Sequence, residues 1–211
     1  MKIFFIGIMF LSYLFSEDFT QAVESYNKGN YIQAFNIFYI LAKEDDEKAQ
    51  YNVGLMYAQG LGVKKDISKA IKWYEKSAIK GNAFAQYNLA QYYYNQGNRD
   101  AHAYAKAKYW YEKCIENEVK ESYNNLGVLY LEGLGVPKDE VKAFELFKQG
   151  ADKSDASASV NVALLYAWGK HVTHDKMKAY DYFKTALKQG KMEAETYLDT
   201  LCKESAWVCK N

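Results

Sequence analysis

Apolar and polar residues alternate along this chain in two modes. From Ile3 to Phe15 the apolar run is nearly unbroken, and Ser16, Glu17 and Asp18 then end it. Beyond that point the pattern is periodic. Tyr51-Asn-Val-Gly-Leu-Met-Tyr57 returns as Tyr87-Asn-Leu-Ala-Gln-Tyr-Tyr93, Asn124-Asn-Leu-Gly-Val-Leu-Tyr130 and Val160-Asn-Val-Ala-Leu-Leu-Tyr166. Its Asn positions, 52, 88, 125 and 161, step by 36, 37 and 36. A second block keeps the same register: Ala70…Tyr74, Ala107…Tyr111, Ala143…Phe147 and Ala179…Phe183. Within each block the large residues lie four apart, on one face of a helix. Two helices per period and four periods predict a stack of repeated helix pairs.

Local signals place the helix ends. Gly60, Gly97, Gly133 and Gly169 follow the first block, where a left-handed C-terminal cap belongs. Asp66, Asp139 and Asp175 stand four residues before the repeated Ala, as N-caps of the second helix. The third unit has Ala103 there, so Asp100 would cap an earlier start. Gly or Ala at 54, 90, 127 and 163 lets helix backbones approach closely.

The N-terminal run follows one positive charge, spans about a dozen residues and ends on a small residue, the form of a secretory signal peptide. It is shorter than the roughly 20 residues a spanning helix needs. Residues 1–16 are therefore read as a signal peptide cleaved after Ser16, and the mature chain as exported, periplasmic or secreted. No Cys near that point suggests a lipid anchor, and no second apolar segment suggests a membrane span.

Composition narrows the function. Of 211 residues 25% are charged, the net charge is +1, and Arg99 is the only arginine. Lys2 is the only charge in residues 1–16, so its removal takes +1 to 0. A neutral, arginine-poor chain is a poor match for nucleic acid, whose phosphates and bases select for basic surfaces and Arg forks. The 20 Tyr and the single Pro suit packed helices.

With Gly60-Leu-Gly-Val63 before Asp66 and Gly133-Leu-Gly-Val136 before Asp139, each followed by Lys-Ala and an aromatic, the chain resembles the Sel1-like repeat, a relative of the tetratricopeptide repeat. The fifth unit has His171 in place of the second Gly, and the third has Asn98-Arg-Asp100. The resemblance implies an all-α solenoid of antiparallel helix pairs forming one right-handed superhelix over 17–201. Its units run over about 17–45, 46–81, 82–118, 119–154 and 155–190, with a capping helix at 191–202 and a tail at 203–211. It also implies a monomeric scaffold that binds a protein, a peptide or a cell-envelope component, with no cofactor.

In such repeats the first helices line a groove. Matched by register, its positions include Asn52, Asn88, Asn125 and Asn161, with Gln91 three residues on and Gln59, Glu132 and Trp168 near the helix ends; Tyr94 stands beside them. A ladder of Asn amides could hold an extended peptide backbone, or could bond neighbouring helices instead. Tyr94 and Trp168 are either binding anchors or core.

Chemistry is sparse. Cys114 shares a column of small residues with Ser77, Gly150 and Ala186. Cysteine-rich secreted relatives pair cysteines eight apart; position 122 is Ser, so that bridge is absent here. Cys202 and Cys209 can bridge only if Lys203–Trp207 turns back, since seven residues of straight helix hold them too far apart. Some of those relatives are described as β-lactamases, which leaves a β-lactam or cell-wall hydrolase as the alternative. Ser-x-x-Lys occurs at Ser25…Lys28 and Ser77…Lys80, but no Ser-Asp-Asn or Lys-Thr-Gly accompanies it, so no catalytic residue is assigned. His171, His174 and Asp175 share one loop, too few ligands for a metal site.

Overall fold

The computed structural model describes residues 18–169 and 171–210. The expected signal peptide therefore lies outside the described residues. Helices follow in the order α1 (18–27), α2 (Tyr31–Lys43), α3 (Glu47–Gln59), α4 (Ile67–Ile79), α5 (Ala83–Gln96), α6 (His102–Glu116), α7 (Glu121–Glu132), α8 (Glu140–Asp152), α9 (Ala156–Trp168), α10 (Lys176–Lys188) and α11 (Ala194–Glu204). A short 3₁₀ helix, Ala206–Cys209, ends the chain. Among the described residues there is no strand, and the fold is an all-α repeat solenoid. The contacts divide the chain into two compact units that meet within α5, one ending at Leu89 and the other starting at Ala90.

In the first unit α3 packs on α4 and on α2. Val53, Met56, Ala70 and Ala78 are fully or almost fully buried between them, with Tyr57 and Tyr74 nearly so. In the second unit the pairs α7–α8 and α9–α10 repeat this arrangement, and α8–α9 and α10–α11 join them in sequence. The repeated Ala and aromatic columns form the core: Ala143, Phe147, Val162 and Leu165 in one cluster, Val160, Ala163, Ala179, Phe183 and Ala186 in the next. The small column is a steric requirement. A Cβ on Gly54 would lie 2.7 Å from the Tyr74 ring, and one on Gly127 2.5 Å from Phe147.

Capping follows the Asp column. Asp66, Asp139 and Asp175 accept from the backbone N–H of Lys69, Lys142 and Lys178 at 2.9, 2.8 and 3.0 Å. Asp100 accepts from the His102 N–H at 3.0 Å just before α6, which starts two residues earlier than its register, with Ala101 at the N-cap position. A second capping column heads the first helices: Asp46, Asn82 and Asp155 accept from Ala49, Ala85 and Ala158. Its signal is in the sequence, since 46, 82 and 155 keep the repeat register and Val119 fills the missing place.

Three expectations change. Gly60 and Gly133 are left-handed caps, but Gly169 is extended (φ −65°, ψ 150°) and Gly97 has no positive φ. Gly97 is needed instead because the Tyr104 ring occupies the place of its missing side chain. The capping helix starts at Ala194 rather than 191, because Met192 and Glu193 form a turn, and it runs past 202 to Glu204. The tail also folds: it reverses at Ser205 and buries Val208 against Phe183, Ala194 and Leu201.

Candidate functional site

The repeated Asn does internal work. Asn88 hydrogen-bonds the hydroxyls of Tyr51 and Tyr74, whose titration burial pushes upward. Asn161 donates to Asn124 Oδ1 at 2.8 Å, in the same register one repeat pair later. Asn124 in turn donates to Asn125 at 3.3 Å. Asn52 Nδ2 donates to the Lys48 carbonyl of its own helix at 2.9 Å. Of the two roles open to this column, bonding between and within helices is the one the geometry displays.

The remaining groove positions are brought to the surface unevenly. Gln59, Glu132 and Trp168 are exposed at the ends of their helices, whereas Gln91 and Tyr94 are half-buried. Tyr94 meets Tyr104 edge-on, with ring centroids 5.8 Å apart. Burial, then the nearby Tyr104 and Glu132, raise its hydroxyl pKa. Trp168 is 36% exposed, yet it is positioned: its indole N–H donates to Glu204 Oε2 at 3.0 Å and its ring lies 6.3 Å from Phe183. Beside it a cavity of about 450 Å³ opens between α7, α8 and α9.

A larger cavity, about 1260 Å³, lies in the first unit between α1, the start of α2 and the Gly62–Lys64 loop. Carboxamides of Gln21, Asn30, Gln33 and Asn36 line it together with Ile37 and Val63. Sequence reasoning missed it because the first unit lacks the repeated Asn block. The available signal was the density of amides between Gln21 and Asn36.

Groups with chemical potential are placed as follows. The Ser77 hydroxyl is buried and donates to the Glu47 carbonyl at 2.8 Å, while Lys80 pairs with Asp45. Ser25 is buried, and Lys28 pairs with Glu24 at 3.3 Å on the surface. Cys114 is fully buried beside the Ser122 hydroxyl, and burial pushes its thiol up to about 11. The position where a second cysteine would complete a bridge is thus in contact but carries oxygen. Cys202 and Cys209 form a disulfide with Cα atoms 5.7 Å apart. His174 Nε2 contacts the Gly169 carbonyl, Asp175 caps α10, and His171 faces Glu140, so the loop's groups diverge. Among the described residues no group of three His, Cys, Asp or Glu could hold a metal ion, and no helix is long and apolar enough to cross a membrane.

Comparisons with known proteins agree with this architecture. The family model described as Sel1 repeat matches residues 47–82, 83–117, 120–155 and 156–191. An ERAD-associated E3 ubiquitin-protein ligase component of Arabidopsis thaliana is 35% identical over 115 residues, 54% of this chain and 18% of its own. A sel1-like repeat-containing protein of Acanthamoeba polyphaga mimivirus is 38% identical over 96 residues, 46% of this chain and 17% of its own. The chain thus spans less than a fifth of these relatives. The crystal structure of a Sel1 repeat protein from Oxalobacter formigenes superposes with a TM-score of 0.76 at 29% identity, covering 89% of this chain and 78% of that one. Four matched repeats in register with the helix pairs, the Asp caps and the buried Ala and aromatic columns make this chain a member of the Sel1 repeat family.

Proposed function

We propose that the protein is an exported binding scaffold that holds an extended segment of another protein, or a cell-envelope component, against its helices. The observation that carries the reading is the amide-lined cavity of the first unit. Carboxamides both donate and accept, so they match the alternating donors and acceptors of a peptide backbone, while Ile37 and Val63 offer contact to an apolar side chain. The positions that vary between repeats, Gln59, Glu132 and Trp168, are exposed and would set specificity, whereas the repeated Ala column and the Tyr74, Tyr111, Phe147 and Phe183 column are buried. The Arabidopsis relative is by its name a component of an E3 ubiquitin-protein ligase, an assembly role in keeping with a scaffold. Export is supported by the apolar run from Ile3 to Phe15 and by the Cys202–Cys209 bridge, a linkage that persists in oxidising compartments.

A photocross-linking residue at Gln33 or Asn36, in the protein expressed in its native compartment, should capture one discrete partner. The double variant Gln33→Ala, Asn36→Ala should then weaken that partner's binding by about tenfold or more, as loss of central contacts does. Unchanged affinity would exclude this cavity as the binding site.

A further inference from the structure

The fifth repeat departs from its predecessors at one seam, and both sides of that seam change together. Where the start of a second helix meets the loop of the following repeat, Gly62 lies against Tyr31 and Gly135 against Tyr104. A Cβ on Gly62 would fall on the Tyr31 carbonyl, and one on Gly135 would lie 2.6 Å from Tyr104 Cβ. The same register pairs His171 with Glu140, whose Nε2 and Oε2 atoms are 4.0 Å apart. Glu140 thus stands in a column otherwise filled by Tyr31, Ile67, Tyr104 and Lys176. Its side chain is only 8% exposed, and Oε1 lies close enough to Gly169 that a Cβ there would be 2.7 Å away. A carboxylate at a helix N-terminus is favoured by the dipole. Ile67 and Lys176 open α4 and α10 without one, so the position itself does not demand an acid.

This carboxylate lines the cavity of about 450 Å³, with Leu131, Leu164 and Leu165 as aliphatic lining, Trp168 as aromatic lining and His171 next to the carboxylate. The Trp168 side chain is itself held by its indole N–H donating to Glu204. Lys138, whose stem packs by Gly133, is exposed and is the cation that also borders the recess. Apolar walls, an aromatic face and a desolvated carboxylate complement a long cationic side chain, which buries its methylenes and brings its head to the acid.

We propose that this recess anchors a lysine or arginine side chain presented by a partner protein; the proposal rests on the scaffold reading above. The methylene stem lies along Leu131 and Leu164, the head group meets Glu140, and the Trp168 face covers it.

The full chain would be titrated with the amides of N-acetyl-arginine, N-acetyl-lysine and N-acetyl-norleucine, reading the Trp168 indole N–H resonance assigned through Trp168→Phe. The cationic amides should shift it saturably and bind about tenfold tighter than norleucine. The stronger of the two identifies the head group. Glu140→Gln should abolish that preference, and so should Glu140→Ile, which restores a side chain the column already carries at Ile67. Equal response to norleucine, a preference that survives in Glu140→Gln, or no shift with any amide would overturn the proposal. If cross-linking at Gln33 still captures a partner in that event, only the cation anchor fails; if both fail, the scaffold reading falls with it.

Discussion

Between the second helix of one repeat and the first of the next, the backbone takes the same left-handed step five times, at Asp45, Gly81, Glu118, Ser154 and Gly190. Two of the five are the residue that adopts this conformation without strain, and three are not. Ser154, with φ 65°, accepts Lys120 Nζ on its carbonyl at 3.2 Å, but its side chain lacks the bonds to Lys80 and Gln50 that the Asp45 carboxylate makes. Ser154→Gly should therefore raise stability by about 0.5–1 kcal/mol, measured as a higher urea midpoint at unchanged slope. Two N-caps carry opposite pH signatures. Hydrogen bonding from the Lys178 backbone N–H holds the Asp175 carboxyl below its usual range. Its contribution is present above the unfolded carboxylate pKa and is lost as pH falls through the folded value. Burial raises the Asp155 carboxyl. Its ionised form therefore costs stability above the raised pKa, and that cost fades as pH falls toward the unfolded value. Asn keeps either cap, so Asp155→Asn should stabilise at neutral pH and Asp175→Asn should destabilise slightly. Thermal melts between pH 3 and 7 would show the two effects, and the same sign for both would contradict this assignment.

At the scale of the element, helix pairs are set by contact between a small residue and an aromatic ring. Gly127→Ala should destabilise by about 1–2 kcal/mol despite Ala's higher helix propensity, because its methyl would overlap the Phe147 ring, 2.5 Å away. Phe147→Leu in the same chain should recover part of the loss, read from chemical denaturation of the single and double variants. The C-terminal element depends on the bridge between Cys202 and Cys209, which holds the 3₁₀ turn so that Val208 completes the last core cluster. Replacing both cysteines by Ser should cost about 2 kcal/mol from the short closed loop. Hydrogen exchange should quicken in α11 and the 3₁₀ helix, while α7–α8 stays as protected as before, since repeats couple mainly to their neighbours.

At the scale of the whole molecule, the three cysteines give a compact check on compartment and fold together. The native protein should show no reactive thiol, one after denaturation and three after denaturation with reductant. The single thiol is Cys114, fully buried with its pKa pushed up to about 11. Much of the architecture was legible from periodicity alone. Asp66, Asp139 and Asp175 cap the helices they were expected to cap, because an N-cap is a contact three residues long and leaves a local mark. The Asn column was legible as a column but not as a role. Whether Asn88 bonds a ligand or Tyr51 depends on which residue of another repeat faces it.

The chain by itself determined the period, the helix pairing, the buried Ala and aromatic columns and the family, since each follows from spacing within one helix or one loop. Only the tertiary structure decided that the tail folds back on Leu201, that Gly169 is extended rather than left-handed, and that Glu140 meets His171 beside Trp168. Each of these depends on residues from different helices meeting across a seam. Linear spacing puts residues in register, but packing decides which atoms touch and which side chains are left for a partner.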